Sequence, residues 1–472
     1  MFSSALRSKR SGVALLASCV SATALYTTRA RDRHSHSATP SVPVKERRVV
    51  VVGGGTGGLG VCAMLGNEGF TRVSCIEPKD VHYYQPIWSM VGAGVADNSV
   101  SVRHMKDIFP SSAEWIHSSA ANIDPENNKV TLTDGTTVEY DYLVIAAGLE
   151  ADWKGLPGLD EAINDPSSGV VSIYDYNYAE KTWETIRLFN KGRALFTMPT
   201  TPVKCPGAPQ KIMWQFEELM RTRQVRGDVD IEWWVPGGAM FGVKKYSDML
   251  EVLRKERDVV AHFKHVLQSI DGPNKVAVFK NLDTGEITNE KYDLLHVVPP
   301  LAPPAVVKSS PLAAASGFVE VDQYTLQSTK YSNVFALGDC TTTPNSKTAA
   351  AVTKQAPILV HNLQQVMEDK PANAKYNGYA SCPLIMGKNH VILAEFGYGG
   401  KIMETFSRET GKFPYSLIGQ EGAVQQRLFY WMKKDMFPYV YWNLWTKGKW
   451  FGNSGPFKPN VLEDDGATTA KK

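Results

Sequence analysis

A glycine-rich turn that begins at residue 53 constrains the fold of this 472-residue chain more than any other feature. The run VVVV before the turn predicts a buried strand, and the periodic apolar segment after it predicts a helix. Gly53, Gly55 and Gly58 have the GxGxxG spacing, in which glycine permits a tight turn and lets backbone N–H groups approach a pyrophosphate. Because a second strand, RVSCIE, follows the helix, the segment predicts a βαβ unit in a parallel α/β sheet that binds a dinucleotide.

Two acidic residues indicate which dinucleotide is bound. Glu77 ends the second strand, where a carboxylate accepts hydrogen bonds from an adenosine ribose. Much later in the chain, the apolar strand of VFALGDC ends at Gly338 and Asp339, where a carboxylate can bind a ribityl hydroxyl. Taken alone, this second motif is more often a plain turn. Together with the glycine turn, it favours FAD over NAD.

These two motifs and the buried strand of DYLVIAAG resemble the three-part signature of the two-dinucleotide-binding-domain flavoprotein superfamily. The resemblance implies an α/β fold with two Rossmann-like dinucleotide-binding domains, the FAD domain being discontinuous. The composition of residues 427–451, described below, adds a C-terminal amphipathic segment that associates with a membrane. We expect the following division: 1–46, transit peptide and linker; 47–150, first part of the FAD domain; 151–300, second Rossmann-like domain with Cys205; 301–412, second part of the FAD domain with Cys382; 413–472, quinone- and membrane-associating region.

The second domain lacks the glycine loop that a nicotinamide cofactor needs. No GxGxxG occurs between Gly148 and Asp293, and the segment TTPVKCPGAPQK stands where that loop is expected. Proline has no N–H to donate to a pyrophosphate, so NAD(P)H is not the expected reductant. Cys205 offers a substitute, because a thiolate beside a flavin can pass on an electron pair and nearby lysines favour the thiolate. Cys382, which also precedes a proline, is the second candidate.

The remaining cysteines suggest neither a disulfide framework nor a metal. The six cysteines are scattered, and none has CxxC or zinc-site spacing. We expect no metal, and we expect buried thiols at most of these positions. The alternative for Cys205 is likewise a buried inert thiol.

The combination of GGGTGG, TTPVKCPGAPQK, VFALGDC with KTAAAV, and CPLIMG resembles the mitochondrial sulfide:quinone oxidoreductases. The resemblance implies FAD, redox cysteines at Cys205 and Cys382, and lysines near the flavin and quinone at Lys211 and Lys433. Bacterial relatives have a further cysteine near the flavin, which no residue here obviously matches, so a two-cysteine cycle is expected. The residues expected to contact FAD are Gly53, Gly55, Thr56, Gly57, Gly58, Glu77, Gln85, Asp339, Lys347, Thr348, Ala349 and Ala350.

The same resemblance implies a reaction. Hydrogen sulfide attacks a Cys205–Cys382 disulfide, which leaves a persulfide on Cys382 and a thiolate on Cys205 that reduces FAD. The flavin delivers two electrons to ubiquinone. A small nucleophile removes the sulfane sulfur, and glutathione, sulfite and coenzyme A are the candidates.

The C-terminal segment of residues 427–451 combines aromatic and basic residues. It contains ten aromatic residues, five Lys or Arg and one acid, Asp435. This composition is typical of the bilayer interface. Because Pro438 interrupts the segment, two short amphipathic helices are expected and not one membrane span. An aromatic segment that covers the FAD domain is the alternative, and both descriptions can hold together.

The N-terminus predicts the compartment. The first 31 residues are basic, rich in serine and free of acids, which is typical of a mitochondrial transit peptide; a signal-anchor helix is the alternative. We therefore expect a peripheral protein of the mitochondrial inner membrane. The formal net charge of +3 is too small to suggest a nucleic-acid partner.

Two other functions compete with sulfide oxidation. A type II NADH:quinone oxidoreductase shares FAD and quinone but needs the absent second glycine loop. A non-catalytic FAD-binding scaffold would not need paired cysteines.

Overall fold

The computed structural model describes residues 42–407 and 427–462. The predicted transit peptide and the boundary expected at residue 412 lie outside the described residues. Within them, two parallel sheets of five strands organise the chain.

The first sheet holds the glycine turn. Its strands, in spatial order, are Val334–Ala336, Tyr142–Ile145, Val49–Val52, Val73–Ile76 and Glu114–Ile116. All neighbours are parallel, and Val52 lies between Ile145 and Ile76. The glycine turn and Asp339 therefore follow the carboxyl ends of strands in the same sheet, the edge at which open α/β sheets bind ligands.

The second sheet positions Cys205. Its strands, in order, are Val170–Val171, Leu294–His296, Gly192–Thr197, Val229–Val235 and Val259–Phe263. All of its pairings are parallel. Cys205 follows the carboxyl end of the central strand, Gly192–Thr197, and precedes the helix Ala208–Thr222.

Smaller antiparallel units complete the strands. A hairpin forms at Asp134-Gly135, and a second one pairs Ala380–Gly387, which carries Cys382, with His390–Phe396. The antiparallel strands are Ala120–Asp124, Lys129–Leu132 and Thr137–Glu139; His265–Asp271, Val276–Asn281 and Ile287–Lys291; Val81–Tyr83 with Val102–His104; and Glu150–Ala151 with Leu301–Ala302.

Helices cover the sheets. Within residues 42–407 and 427–462, none is both long enough and apolar enough to cross a bilayer. The α-helices are Thr56–Asn67, Trp88–Val91, Met105–Ile108, Leu159–Asn164, Tyr176–Ile186, Ala208–Thr222, Lys244–Glu256, Ala305–Lys308, Ala349–Met367, Arg427–Trp431 and Phe437–Asn443.

The C-terminal segment differs in one respect from the expectation. The backbone stays helical across Pro438, because the five residues Met432–Met436 form a π-helical turn and Pro438 lies at the start of the next α-helix. Phe437 N–H donates to Met432 O, which closes the π-helical turn. Proline is tolerated in the first turn of an α-helix, because an N–H at that position would have no partner within the helix. Phe429, Tyr441 and Trp445 of this segment belong to the core of the first sheet.

Candidate active site

One cavity of about 850 Å³ collects nearly all the residues that the sequence singled out. It runs from the glycine turn past Cys205 to the C-terminal segment. Gly58 and Cys382 are the predicted site residues that do not line it. Those that do are Gly53, Gly55, Thr56, Gly57, Glu77, Gln85, Cys205, Lys211, Asp339, Lys347, Thr348, Ala349, Ala350 and Lys433.

The glycine turn fits a nucleotide pyrophosphate. Gly53 has a φ of +99°, and a Cβ there would lie 2.7 Å from Ala146 O. A Cβ at Gly58 would lie 1.8 Å from Gly53 O, so this glycine allows the helix to pack on the strand. At Gly55 a Cβ would meet no atom within 4 Å, which leaves the open side of the turn to a ligand. Glu77 Oε2 accepts the N–H of Gly54 at 2.8 Å and stays at the cavity wall.

The opposite wall combines a carboxyl with a helix N-terminus. Burial raises the pKa of Asp339, and the nearby Lys204 and Lys347 lower it. Lys347 Nζ donates to the carbonyls of Thr341 and Thr343 at 2.7 and 2.9 Å. Thr348 caps the 19-residue helix Ala349–Met367, so the partial positive charge of the helix N-terminus lies at the cavity. This part of the cavity wall can therefore bind hydroxyl groups of a ligand through Asp339 and negative charge on a ligand ring through the helix N-terminus.

The two predicted redox cysteines lie side by side. Cys205 Sγ and Cys382 Sγ are 3.3 Å apart and are not joined by a disulfide bond, although the residues are 177 positions apart in the sequence. Cys205 has a φ of +54°, which is rare for a residue with a side chain. Its N–H donates to Lys347 O at 2.6 Å, so the loop after the central strand of the second sheet is tied to the segment before the helix Ala349–Met367.

Strand alternation explains why only one of the cysteines lines the cavity. Cys382 pairs with Ala394 in its hairpin and packs into the core of the second sheet. The neighbouring positions Ser381, Pro383, Leu393 and Glu395 line the cavity. Cys205 therefore stands between Cys382 and the cavity.

A hydrogen bond within the sulfur pair and a buried lysine together favour negative charge on Cys205. Lys211 is buried on the helix Ala208–Thr222, and its Nζ lies 3.2 Å from Cys205 Sγ. The hydrogen bond from Cys382 holds the pKa of Cys205 well below its usual value, and Lys211 and Lys433 lower that pKa further, against the effect of burial. The same hydrogen bond, together with burial, raises the pKa of Cys382. Both shifts favour the thiolate on Cys205 and the thiol on Cys382.

Lys433 is the second lysine of the cavity. The π-helical turn carries it inward, where it is 2% exposed and its Nζ donates to Pro86 O. Burial and the nearby Lys211 lower the pKa of Lys433 to about 7. This amine can therefore gain or lose a proton near neutral pH.

Sequence reasoning missed residues that connect these parts. A Cβ at Gly207 would lie 2.4 Å from Cys382 Sγ, so glycine at this position lets the sulfurs approach. Tyr441 OH lies 2.8 Å from Thr56 Oγ1, and Trp445 Nε1 donates to Thr56 O at 3.0 Å. The sequence did contain a signal for Gly207, because this glycine lies close to Cys205 and directly before a helix. No local pattern links Tyr441 or Trp445 to a turn nearly 400 residues earlier.

Comparisons with known proteins identify the family. Residues 47–184 match the pyridine nucleotide-disulphide oxidoreductase family. The chain is 43% identical to the mitochondrial sulfide:quinone oxidoreductase of Dictyostelium discoideum, over 87% of this chain and 88% of that protein. Identity to the mouse protein of the same name is 40%, over 91% and 92%. The chain belongs to the mitochondrial sulfide:quinone oxidoreductase family.

A solved structure supports the fold assignment. The X-ray structure of the sulfide:quinone oxidoreductase from Aquifex aeolicus superposes with a TM-score of 0.68, covering 85% of this chain and 91% of that one at 20% identity. The predicted α/β flavoprotein fold of the sulfide:quinone oxidoreductase family is therefore confirmed.

Proposed function

We propose that this chain oxidises hydrogen sulfide at the Cys205–Cys382 pair and passes the electrons through FAD to ubiquinone. Family membership makes it a flavin-dependent sulfide:quinone oxidoreductase. The observation that supports the cysteine assignment is the 3.3 Å approach of the two sulfurs beside the cavity, with Lys211 on Cys205.

The cavity lining supports FAD as the flavin. We assign the pyrophosphate to the turn Gly53–Gly57 and the adenosine ribose to Glu77. Asp339 would bind the ribityl chain, and Thr348, Ala349 and Ala350 would stabilise negative charge on the ring through the helix N-terminus. The bound flavin supplies two-electron transfer between the sulfur pair and the quinone.

The residues of the sulfur pair divide the chemistry. In the oxidised pair, HS⁻ attacks Cys382 Sγ; one S–S bond forms, the Cys205–Cys382 bond breaks, and the electron pair leaves on Cys205. Lys211 stabilises that thiolate at 3.2 Å. Cys382 is 1% exposed, so its sulfur is held away from bulk water. A nucleophile of the class of glutathione, sulfite or coenzyme A then takes the outer sulfur and releases Cys382 as a thiolate, and loss of two electrons rejoins the pair.

The mouth of the cavity supports a quinone that arrives from a lipid surface. Leu428, Trp431 and Phe457 line the cavity and are 37%, 51% and 76% exposed. Exposed apolar side chains around an opening are typical of membrane-contacting sites. We assign this face to the inner mitochondrial membrane, to which the protein would bind peripherally.

A steady-state assay tests the function. Purified protein mixed with sulfide, sulfite and a short-chain ubiquinone should form quinol, whereas NADH in place of sulfide should not. Quinol formation with NADH but not with sulfide would favour the type II NADH:quinone oxidoreductase. Bound flavin that neither reductant can reduce would favour the non-catalytic scaffold.

A further inference from the structure

The hairpin that carries Cys382 also presents a carboxyl to the flavin cavity. Glu395 lies opposite Ser381, one position from the Cys382–Ala394 pair. Because side chains alternate along a strand, Glu395 projects to the face opposite Cys382, and it lines the cavity. The hairpin thus has a thiol for the sulfur chemistry on one face and an acid on the other.

Glu395 is bound in a way that accommodates both of its protonation states. The residue is 2% exposed. Tyr379 OH and Thr405 Oγ1 each lie 2.6 Å from Glu395 Oε1, and the Thr405 N–H donates to Oε2 at 2.7 Å. A hydroxyl can donate to a carboxylate or accept from a carboxylic acid. The two hydroxyls can therefore bind Glu395 in its ionised or its neutral form. A site made of N–H donors alone would require the ionised form.

The position of Glu395 matches the quinone end of the cavity. The helix Arg427–Trp431, whose Leu428 and Trp431 form the exposed mouth, packs against the strand of Glu395. Other acids of the described lining have different surroundings. Glu77 accepts the backbone N–H groups of Gly54 and Lys79, and Asp339 lies near Lys204 and Lys347.

Burial and the neighbouring Glu404 favour the neutral form of Glu395. Burial raises the pKa of Glu395, Thr405 and Tyr379 lower it, and Glu404 raises it. Glu404 is 1% exposed and accepts from Tyr246 OH at 2.9 Å and from Lys245 Nζ at 3.0 Å. The cation that shares the cavity on the C-terminal side is Lys433, whose pKa burial lowers to about 7.

We propose that Glu395 is the acid that protonates the quinone. Reduction of a quinone adds two electrons and two protons. The electron pair comes from sulfide, one proton moves from the Glu395 carboxyl to a quinone oxygen, and the second comes from water in the open cavity. The remaining carboxylate is held by the Thr405 N–H and the two hydroxyls until it takes a proton from water. This role rests on the proposed quinone reaction and adds an acid to it.

The Glu395→Gln variant tests the proposal, because glutamine keeps the size of the side chain but has no acid proton. Sulfide should reduce its flavin at the wild-type rate. Reoxidation of that flavin by a short-chain ubiquinone should be slowed by about 10²-fold, within the range for loss of a general acid. Ferricyanide, which takes electrons without protons, should reoxidise both proteins equally. The infrared band of a buried protonated carboxyl should be present in the wild type and absent from the variant.

Two results would overturn the role of Glu395. One is quinone reoxidation at the wild-type rate in Glu395→Gln; the other is an equal slowing with quinone and ferricyanide, which indicates a structural defect. Should Glu395→Gln fail to bind flavin, Tyr379→Phe replaces it. Loss of this hydrogen bond raises the pKa of Glu395, so the fall of the quinone rate at high pH should move to higher pH, and an unmoved profile refutes the role. Failure of sulfide to reduce wild-type flavin would instead refute the proposed function.

Discussion

At the residue scale, Lys211 stabilises negative charge on the sulfur of Cys205. Its Nζ contacts Cys205 Sγ, and Lys211 lies in the first turn of the helix Ala208–Thr222, whose N-cap is Gly207. Burial alone lowers the pKa of Lys211, but the sulfurs of Cys205 and Cys382 raise it above its usual value. Lysine and thiolate therefore stabilise each other's charged forms.

Replacing Lys211 with methionine should raise the pKa of Cys205. Without the ammonium group, only the Cys382 hydrogen bond and Lys433 still offset the burial of the thiolate, and the midpoint for alkylation of reduced Cys205 by iodoacetamide should rise by about 1 to 3 pH units. Mass spectrometry of the Cys205 peptide across pH measures this midpoint. Lys204→Met is the matched control. Lys204 is next to Cys205 in the sequence, but its Nζ donates to Gln85 Oε1 and not to Cys205 Sγ. Equal midpoints in wild type and Lys211→Met would contradict the assignment.

At the element scale, the start of the helix Ala208–Thr222 sets the distance between the sulfurs. The chain reverses at Cys205 with a positive φ, and Gly207 gives Cys382 Sγ room to approach. This contact joins an element of the second sheet to the hairpin Ala380–Phe396. The sulfur pair thus depends on the absence of one side chain.

Gly207→Ala should destabilise the protein and separate the sulfurs. A Cβ placed 2.4 Å from Cys382 Sγ forces a shift, at a cost of about 1 to 3 kcal/mol in the free energy of unfolding. Urea unfolding measures the loss. Gly242→Ala is the matched control, since a Cβ there meets no atom within 4 Å. Unfolding of both variants at the same urea concentration would contradict the close packing of Gly207 against Cys382.

The C-terminal helices serve two surfaces at once. Tyr441 and Trp445 contact the glycine turn, whereas Leu428 and Trp431 are exposed at the cavity mouth. Deleting residues from Arg427 onward would therefore remove the contacts to the glycine turn as well as any membrane contact. Substitutions of the exposed residues separate the two roles.

The double variant Leu428→Ser, Trp431→Ser should bind liposomes on the order of tenfold more weakly, because two apolar side chains no longer enter the lipid. Cosedimentation with vesicles that contain anionic lipid measures the binding, and flavin content should stay normal. Leu188→Ser, at a residue that is 67% exposed and not in the cavity lining, should bind like the wild type. Unchanged binding of the double variant would contradict the interfacial role.

At the scale of the whole molecule, the sequence predicted those turns and hairpins that depend on a few neighbouring residues. The turn at Gly53 and the hairpin at Asp134-Gly135 follow from glycine conformations and strand periodicity, and both are present. The approach of Cys205 to Cys382 followed from resemblance, because spacing in the chain says nothing about contact across 177 residues.

Other features could not be predicted because they depend on packing between distant elements. The inward position of Lys433 comes from the π-helical turn, and the cover of Thr56 comes from Tyr441 and Trp445. Glu395 belongs to an apolar strand, where only the hairpin register shows that it faces the cavity and Cys382 does not. Burial and long-range contact thus decide the chemistry of residues that look unremarkable in sequence.

Anaerobic mixing of sulfide with wild type, Cys205→Ser and Cys382→Ser tests the central claim most directly, with flavin absorbance as the readout. Cys205 stands between Cys382 and the cavity and is the one sulfur of the pair that lines it, so we expect its thiolate to face the flavin. Sulfide should bleach the flavin of the wild type but not that of Cys205→Ser, which should still contain flavin. Cys382→Ser should lose turnover yet keep a thiolate–flavin charge-transfer band that Cys205→Ser lacks. Equal bleaching in wild type and Cys205→Ser would contradict the account.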